Sequence, residues 1–139
     1  MAEIKSQADT AMMVAASGMR AQQARMRIIA ENLANASSTS RTPGGDPYRR
    51  QVPIFEPKAV GGGEGVRMSR VEGDRKDFRS TYDPGHPAAN AEGYVQLPNV
   101  DPLIEALDMK EAQRAYEANL NVIETARSME MRTLDLLRK

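Results

Sequence analysis

The chain has 139 residues, about one domain's worth, and its four Tyr, two Phe and absent Trp exclude a large aromatic core. Lys plus Arg and Asp plus Glu balance at 19 each, so no net field draws nucleic acid or an anionic membrane, and the partner class left is protein. The absence of Cys removes disulfides, thiolate metal sites and thiol nucleophiles together.

All eight Pro and nine of the ten Gly lie from Pro43 to Pro102, which leaves both ends free to be helical. The first predicted element is one long helix from about Ser6 to Ala36, rich in Ala, Met, Gln, Arg and Glu. Its apolar positions Ala8, Met12, Ala15, Met19, Met26, Ile29, Leu33 and Ala36, with Gln22 as the polar interruption, alternate steps of four and three. That heptad pattern predicts a coiled-coil-like seam, and an ordinary amphipathic helix of a bundle would also bury the same face. The uncharged stretch Thr10 to Met19 is too short to cross a membrane and follows Glu3, Lys5 and Asp9 rather than a basic leader region. Direct membrane insertion and a conventional secretory signal are therefore not expected.

The middle, residues 37–100, opens with Ser37 to Ser40 and Thr42-Pro43-Gly44-Gly45-Asp46-Pro47, a run of turn formers. Gln51 to Phe55 and Val66 to Val71 have short β-compatible character, with Pro53 pointing to an edge strand or loop. Lys58 to Gly65 reads as a flexible loop tip around Gly61-Gly62-Gly63. This segment is expected to be irregular with a small β-rich patch.

The second helix, residues 101–139, has a clear start: Asp101 can cap free amides and Pro102 stands at the first helical position. Its apolar stripe is expected to run through Met109, Ala112, Tyr116, Leu120, Ile123, Ala126, Met131, Leu134 and Leu137. Long helices with Ala- and Met-rich stripes recover little free energy alone, and the middle offers few large apolar residues to cover them. Neighbours from other chains are the expected cover.

The candidate residues for chemistry point away from it. His86, the sole histidine, sits in the turn Asp83-Pro84-Gly85-His86-Pro87 and cannot build a multi-His metal site. Gly61 to Gly65 lacks the Gly-Lys-Ser/Thr ending of a phosphate loop. The basic runs Tyr48-Arg49-Arg50 and Arg67 to Arg79 are interleaved with Glu72, Asp74 and Asp77, as in a solvated or inter-subunit face. No catalytic residue, metal ligand or cofactor is expected. Two Asn-rich spots remain open: Asn32 and Asn35 in the first helix, and Asn119 beside Tyr116 in the second. Each amide either fixes register across helices or is simply exposed or capping.

Ser17-Gly18-Met19-Arg20-Ala21-Gln22, Arg25-Met26 and Ile29 to Ala36, continued by Thr42-Pro43-Gly44-Gly45 and Tyr48-Arg49-Arg50, resemble the N-terminal signature of the flagellar rod and hook axial proteins. Tyr82-Asp83-Pro84-Gly85-His86-Pro87, Gly93-Tyr94-Val95, Pro98-Asn99-Val100 and Arg114 to Asn119 are similar to the short, proximal-rod members of that family. Ala88 departs from the acidic residue the family often has after its His-Pro pair. The resemblance implies a structural subunit exported without leader cleavage by the flagellar type III apparatus. It implies helical assembly with itself and other rod proteins, above the membrane ring and its junction proteins, across the periplasmic space. The inter-subunit residues would then be Met12, Met19, Met26, Ile29, Asn32, Leu33 and Asn35 of the first helix. Those of the second would be Tyr116, Asn119, Leu120, Ile123, Met131, Leu134 and Leu137. The fold expected is mainly α, a single unit of two long terminal helices packing as a coiled-coil-like pair around the Pro/Gly-rich middle. A cytosolic helical-hairpin adaptor is the alternative, and an enzyme depending on His86 is the third reading.

Overall fold

A computed structural model describes residues 2–138. Helix α1 (Ala2–Ala34) is followed by strands β1 (Gln51–Val60), β2 (Gly63–Gly73), β3 (Arg79–Tyr82) and β4 (Tyr94–Leu97), then by helix α2 (Pro102–Leu137). At 1.5 Å per residue the helices are about 50 and 54 Å long. The expectation of a mainly α fold is corrected: 50% of the residues are helical, but 21% are in strands, forming two antiparallel two-stranded sheets.

The reason lies in Lys58 to Gly65, which is strand almost throughout rather than a loop tip. Gly61 and Gly62 have φ of +54° and +86°, so the chain reverses in two residues, and only glycine takes consecutive left-handed positions cheaply. Pro53 and Pro57 remain inside β1 because the ribbon has no further strand whose hydrogen bonds they would forfeit.

The chain forms two compact units of interleaved segments. The first comprises the chain through Met26, Ile54–Arg70, and the chain from Lys110 onward. Here α1 and α2 lie side by side and antiparallel, since their contacts run backward along α2 as they run forward along α1. Ile4 shares a groove with Leu134, a side chain at Gly18 would come 2.7 Å from Asn119 Nδ2, and Arg25 pairs with Glu111 at 3.4 Å. Small residues fill this unit's buried positions: Ala15, Ala21, Ala112 and Ala126. The hairpin turn also rests on α1. Thr10 Oγ1 donates to the Gly61 carbonyl at 2.8 Å, and Ser17 Oγ accepts from the Val66 amide at 3.2 Å.

The second unit comprises Arg27–Pro53 and Val71–Met109. Strands β3 and β4 pair antiparallel from Arg79↔Leu97 to Tyr82↔Tyr94. Ile28, Ile29, Ala88, Val95 and Val100 are its buried apolar residues. Ala88 stands where an acidic side chain would be buried, and its carbonyl accepts from the Gly44 amide at 3.1 Å. Helix α2 starts as expected, with Asp101 Oδ1 accepting from the Leu103 amide at 3.0 Å.

Candidate functional site

Two sets of residues stand out, one polar and buried, the other apolar and exposed. The polar set belongs to the second unit and centres on the strand entry Tyr48 to Gln51. Asn32, 1% exposed, donates from Nδ2 to the Gln51 carbonyl at 2.9 Å, while its Oδ1 accepts from the Gln51 amide at 2.9 Å and from Tyr48 Oη at 2.8 Å. A helix side chain thus gives Gln51 both hydrogen bonds that a neighbouring strand would give. Asn99 acts likewise one residue earlier: its Oδ1 accepts from the Arg50 amide at 2.7 Å and its Nδ2 donates to the Asp74 and Lys76 carbonyls, each at 3.0 Å.

The Arg50 side chain fills the space between these clamps. Its Nε pairs with fully buried Glu105, and its Nη1 with Asp74 at 3.2 Å, while Asp108 lies 3.6 Å from Nη2. Burial opposes the Arg50 charge, yet the hydrogen bond and charge of Glu105, and then Asp74, raise its pKa above the usual value. The Asp74 carboxyl is held below its ordinary value, first by the Lys76 backbone amide and then by Arg50. Burial raises the Tyr48 hydroxyl pKa, and the charges of Glu31 and Glu105 add to it. The Arg50 guanidinium thus ties Glu105, Asp74 and Asp108 together, with Glu105 Oε2 left buried without a hydrogen-bond partner among the described residues. Among the described residues no group of three or more His, Cys, Asp and Glu is placed to hold a metal ion. His86 is used locally, its Nδ1 accepting from the Ala88 amide at 3.0 Å.

The apolar set belongs to the first unit. On α2 from Lys110 onward, Ala112, Tyr116, Asn119, Ile123, Ala126, Glu130 and Thr133, in alternating steps of four and three, are buried or half-buried, as is Ala115 beside them. This heptad differs from the stripe expected from sequence. Tyr116, Asn119 and Ile123 lie on it, but Leu120, Met131, Leu134 and Leu137 are 37%, 60%, 54% and 57% exposed. At Gly18 the two helices come close, a Cβ there lying 2.7 Å from Asn119 Nδ2, and the fully buried apolar positions of α2 are Ala112 and Ala126. Of the α1 positions, Ile29 and Asn32 are buried, and Met12, Met19, Met26, Leu33 and Asn35 are half-buried.

On a different face of α2, Val122, Met129 and Leu136 repeat every seven residues and are 45%, 55% and 74% exposed. Val122 and Met129 also border a mostly apolar groove of about 400 Å³, lined besides by Ile4, Ala8, Ala11 and Ala126 and by polar Gln7, Asn121 and Thr125. Exposed apolar side chains repeating every seven residues beside a groove between two helices can receive a third helix. No described helix is long and apolar enough to cross a membrane.

Sequence reasoning gave no role to Glu105, read Asp74 only as an acid interleaved with a basic run, and quoted Arg50 and Asn99 in the family motifs without seeing that they meet. Their partners lie up to 55 residues apart, so no local spacing announces them. The Asn32 amide was singled out, without its partner.

Comparison with known proteins follows the same layout. Residues 12–41 match the family model described as flagella basal body rod protein, and residues 91–136 match that of the flagellar basal body rod FlgEFG protein C-terminal region. The chain is 50% identical over 127 residues to the flagellar basal-body rod protein FlgC of Agrobacterium fabrum, covering 90% of this chain and 91% of that protein. It is 42% identical over 143 residues to FlgC of Borreliella burgdorferi, covering 89% and 93%. Against FlgC of Escherichia coli O6:H1 the identity is 39% over 125 residues, covering 88% and 92%.

Proposed function

The chain belongs to the FlgC family of flagellar basal-body rod proteins, and from that premise we propose how it builds its part of the rod. It is a structural subunit of the flagellar basal body, in a family that assembles with other rod proteins and is not an enzyme family. In our reading the 139 residues serve as one subunit that polymerises helically with copies of itself and with other rod proteins. They form the proximal part of a hollow shaft that transmits torque. The subunit crosses to the periplasmic space through the flagellar type III export apparatus without leader cleavage, and the finished segment meets the membrane-ring junction proteins.

The observation that carries this reading is the outward stripe Val122, Met129 and Leu136, because a helix pair whose seam holds mostly small residues leaves its larger apolar side chains for neighbours. Leu120, Met131 and Leu134 are exposed on the other flank of α2 and offer neighbours a second apolar surface, with Leu137 between the two. Met12, Met19, Met26, Leu33, Tyr116 and Ile123 are half-buried within the chain and complete their burial against neighbours. Ile29, Asn32 and Asn35 order the second unit, Asn32 through Gln51 and Tyr48, and Asn119 meets Gly18 within the helix pair of the first.

Complementing a strain that lacks the native gene with Met129→Asp and Leu136→Asp variants tests the reading. Both side chains are exposed, so the isolated variants should keep wild-type helicity and thermal unfolding. The expected cells secrete the subunit, lack complete basal bodies and do not swim. Normal swimming with intact basal bodies in both strains would remove this surface from the assembly.

A further inference from the structure

Met13 differs from the other exposed methionines in what its sulfur touches. Met129 and Met131 are 55% and 60% exposed on α2, whereas Met13, 46% exposed on α1, reaches the β1–β2 turn. A Cβ added at Gly61 would fall on Met13 Sδ and lie 2.9 Å from its Cε, so the thioether packs against the bare backbone of a left-handed glycine. Thr10 Oγ1 holds the same residue's carbonyl at 2.8 Å, and Ser17 Oγ holds the Val66 amide at 3.2 Å. The hairpin is therefore seated on α1 by two hydroxyl contacts with a methionine sulfur between the helix and the turn. In a chain without Cys, an accessible thioether is the side chain most open to two-electron oxidation.

We propose that Met13 is a peroxide-modification site whose sulfoxide unseats the β1–β2 turn from α1. The sulfur lone pair attacks one oxygen of hydrogen peroxide, forming the S–O bond as the O–O bond breaks. The departing hydroxide takes the remaining proton of the transferred oxygen and leaves as water. Sulfur loses two electrons and the peroxide gains them. The product is bulkier and strongly polar, and it replaces an apolar atom packed on glycine. The turn has no side chain that could yield, so the hairpin tip moves away from the helix. The same reaction at Met129 or Met131 alters no contact within the hairpin.

The test treats the purified full chain with hydrogen peroxide, follows each methionine by peptide mass and reads hydrogen exchange at the Val66 amide. Met13, Met129 and Met131 should oxidise ahead of half-buried Met12, Met19, Met26 and Met68. Once Met13 is converted, Val66 should exchange about tenfold faster, as its opening becomes local rather than shared with the helix. Met13→Leu should abolish that response, and a Met129→Leu/Met131→Leu double variant should keep it. Treatment of the oxidised native chain with methionine sulfoxide reductases should restore slow exchange, which makes the result independent of how the variants fold. The proposal is overturned if Met13 oxidises no faster than Met12, or if Val66 exchange is unchanged in fully converted protein.

Discussion

Asn32 uses its amide as a piece of strand backbone, and that makes it hard to replace. Asn32→Asp keeps the acceptor for the Gln51 amide and Tyr48 but turns a second oxygen toward the Gln51 carbonyl, where Nδ2 now donates at 2.9 Å. With the site 1% exposed, the loss should be about 1–3 kcal/mol or more in denaturant unfolding. Tyr48→Phe, which removes a single hydrogen bond, should cost only about 1 kcal/mol. Equal effects would mean that the amide is not reading Gln51. Asp74 gives the same region a pH dependence. Because its folded pKa lies below the ordinary carboxylate value, its contribution is complete above the unfolded value of 3.8 and is lost as pH falls through the lower, folded one. Asp74→Asn should therefore be less stable at neutral pH and lose less on acidification, as measured by urea midpoints across that range. Parallel acid limbs for the two proteins would assign the dependence to other groups.

At the scale of elements, the helix pair is governed by the size of what meets in its seam. Gly18→Ala should gain roughly 1 kcal/mol from helix propensity alone, but the new Cβ would lie 2.7 Å from Asn119 Nδ2 and must displace that side chain. In the native background the gain should vanish, and in an Asn119→Ala background it should return. Additive effects by thermal unfolding would show that the two positions do not meet. The same contact explains what was legible in advance. On α1 every position of the expected heptad from Ala8 to Leu33 is at least half-buried, but fully buried Ser17, Ala21, Ile28 and Asn32 lie off it. The start of α2 could be read because Asp101-Pro102 carries its own local chemistry. On α2 the expected stripe is buried or half-buried at Ala112, Tyr116, Ile123 and Ala126. At Leu120, Met131 and Leu134 the large side chain is exposed, and the neighbouring Asn119, Glu130 and Thr133 turn inward instead. The hairpin was under-read because Pro53 and the glycines argue locally for a loop, while two consecutive left-handed residues make the same glycines a tight turn. The pairing of the Arg50 cluster had no local signal, being assembled from residues far apart in the chain.

For the whole molecule, burial decides which parts are stable before assembly. Residues 2–7 of α1 are all exposed, and from Arg127 to Arg138 of α2 only Glu130 and Thr133 are even half-buried. The helix ends are therefore joined by a few apolar edges around Ile4, Leu134 and Leu137, which recover little of the entropy lost on ordering two long segments. Farther along, the Gly18–Asn119 approach, Ala112, Ala126 and the seated hairpin give each helix a packed neighbour. Opening should thus progress from the free ends inward, with free energies near zero at the ends and rising toward the global value. Hydrogen exchange on dilute monomer should find the amides before Ala8 and after Ala126 exchanging within seconds to minutes, while those around Ala15, Ala21 and Ala112 remain protected. Assembled rods should protect both ends, since the exposed stripe through Val122, Met129 and Leu136 would then be covered. Uniformly slow exchange along both helices of a verified monomer would show that the pair is self-sufficient, and the need for neighbours inferred from its exposed apolar face would fall with it.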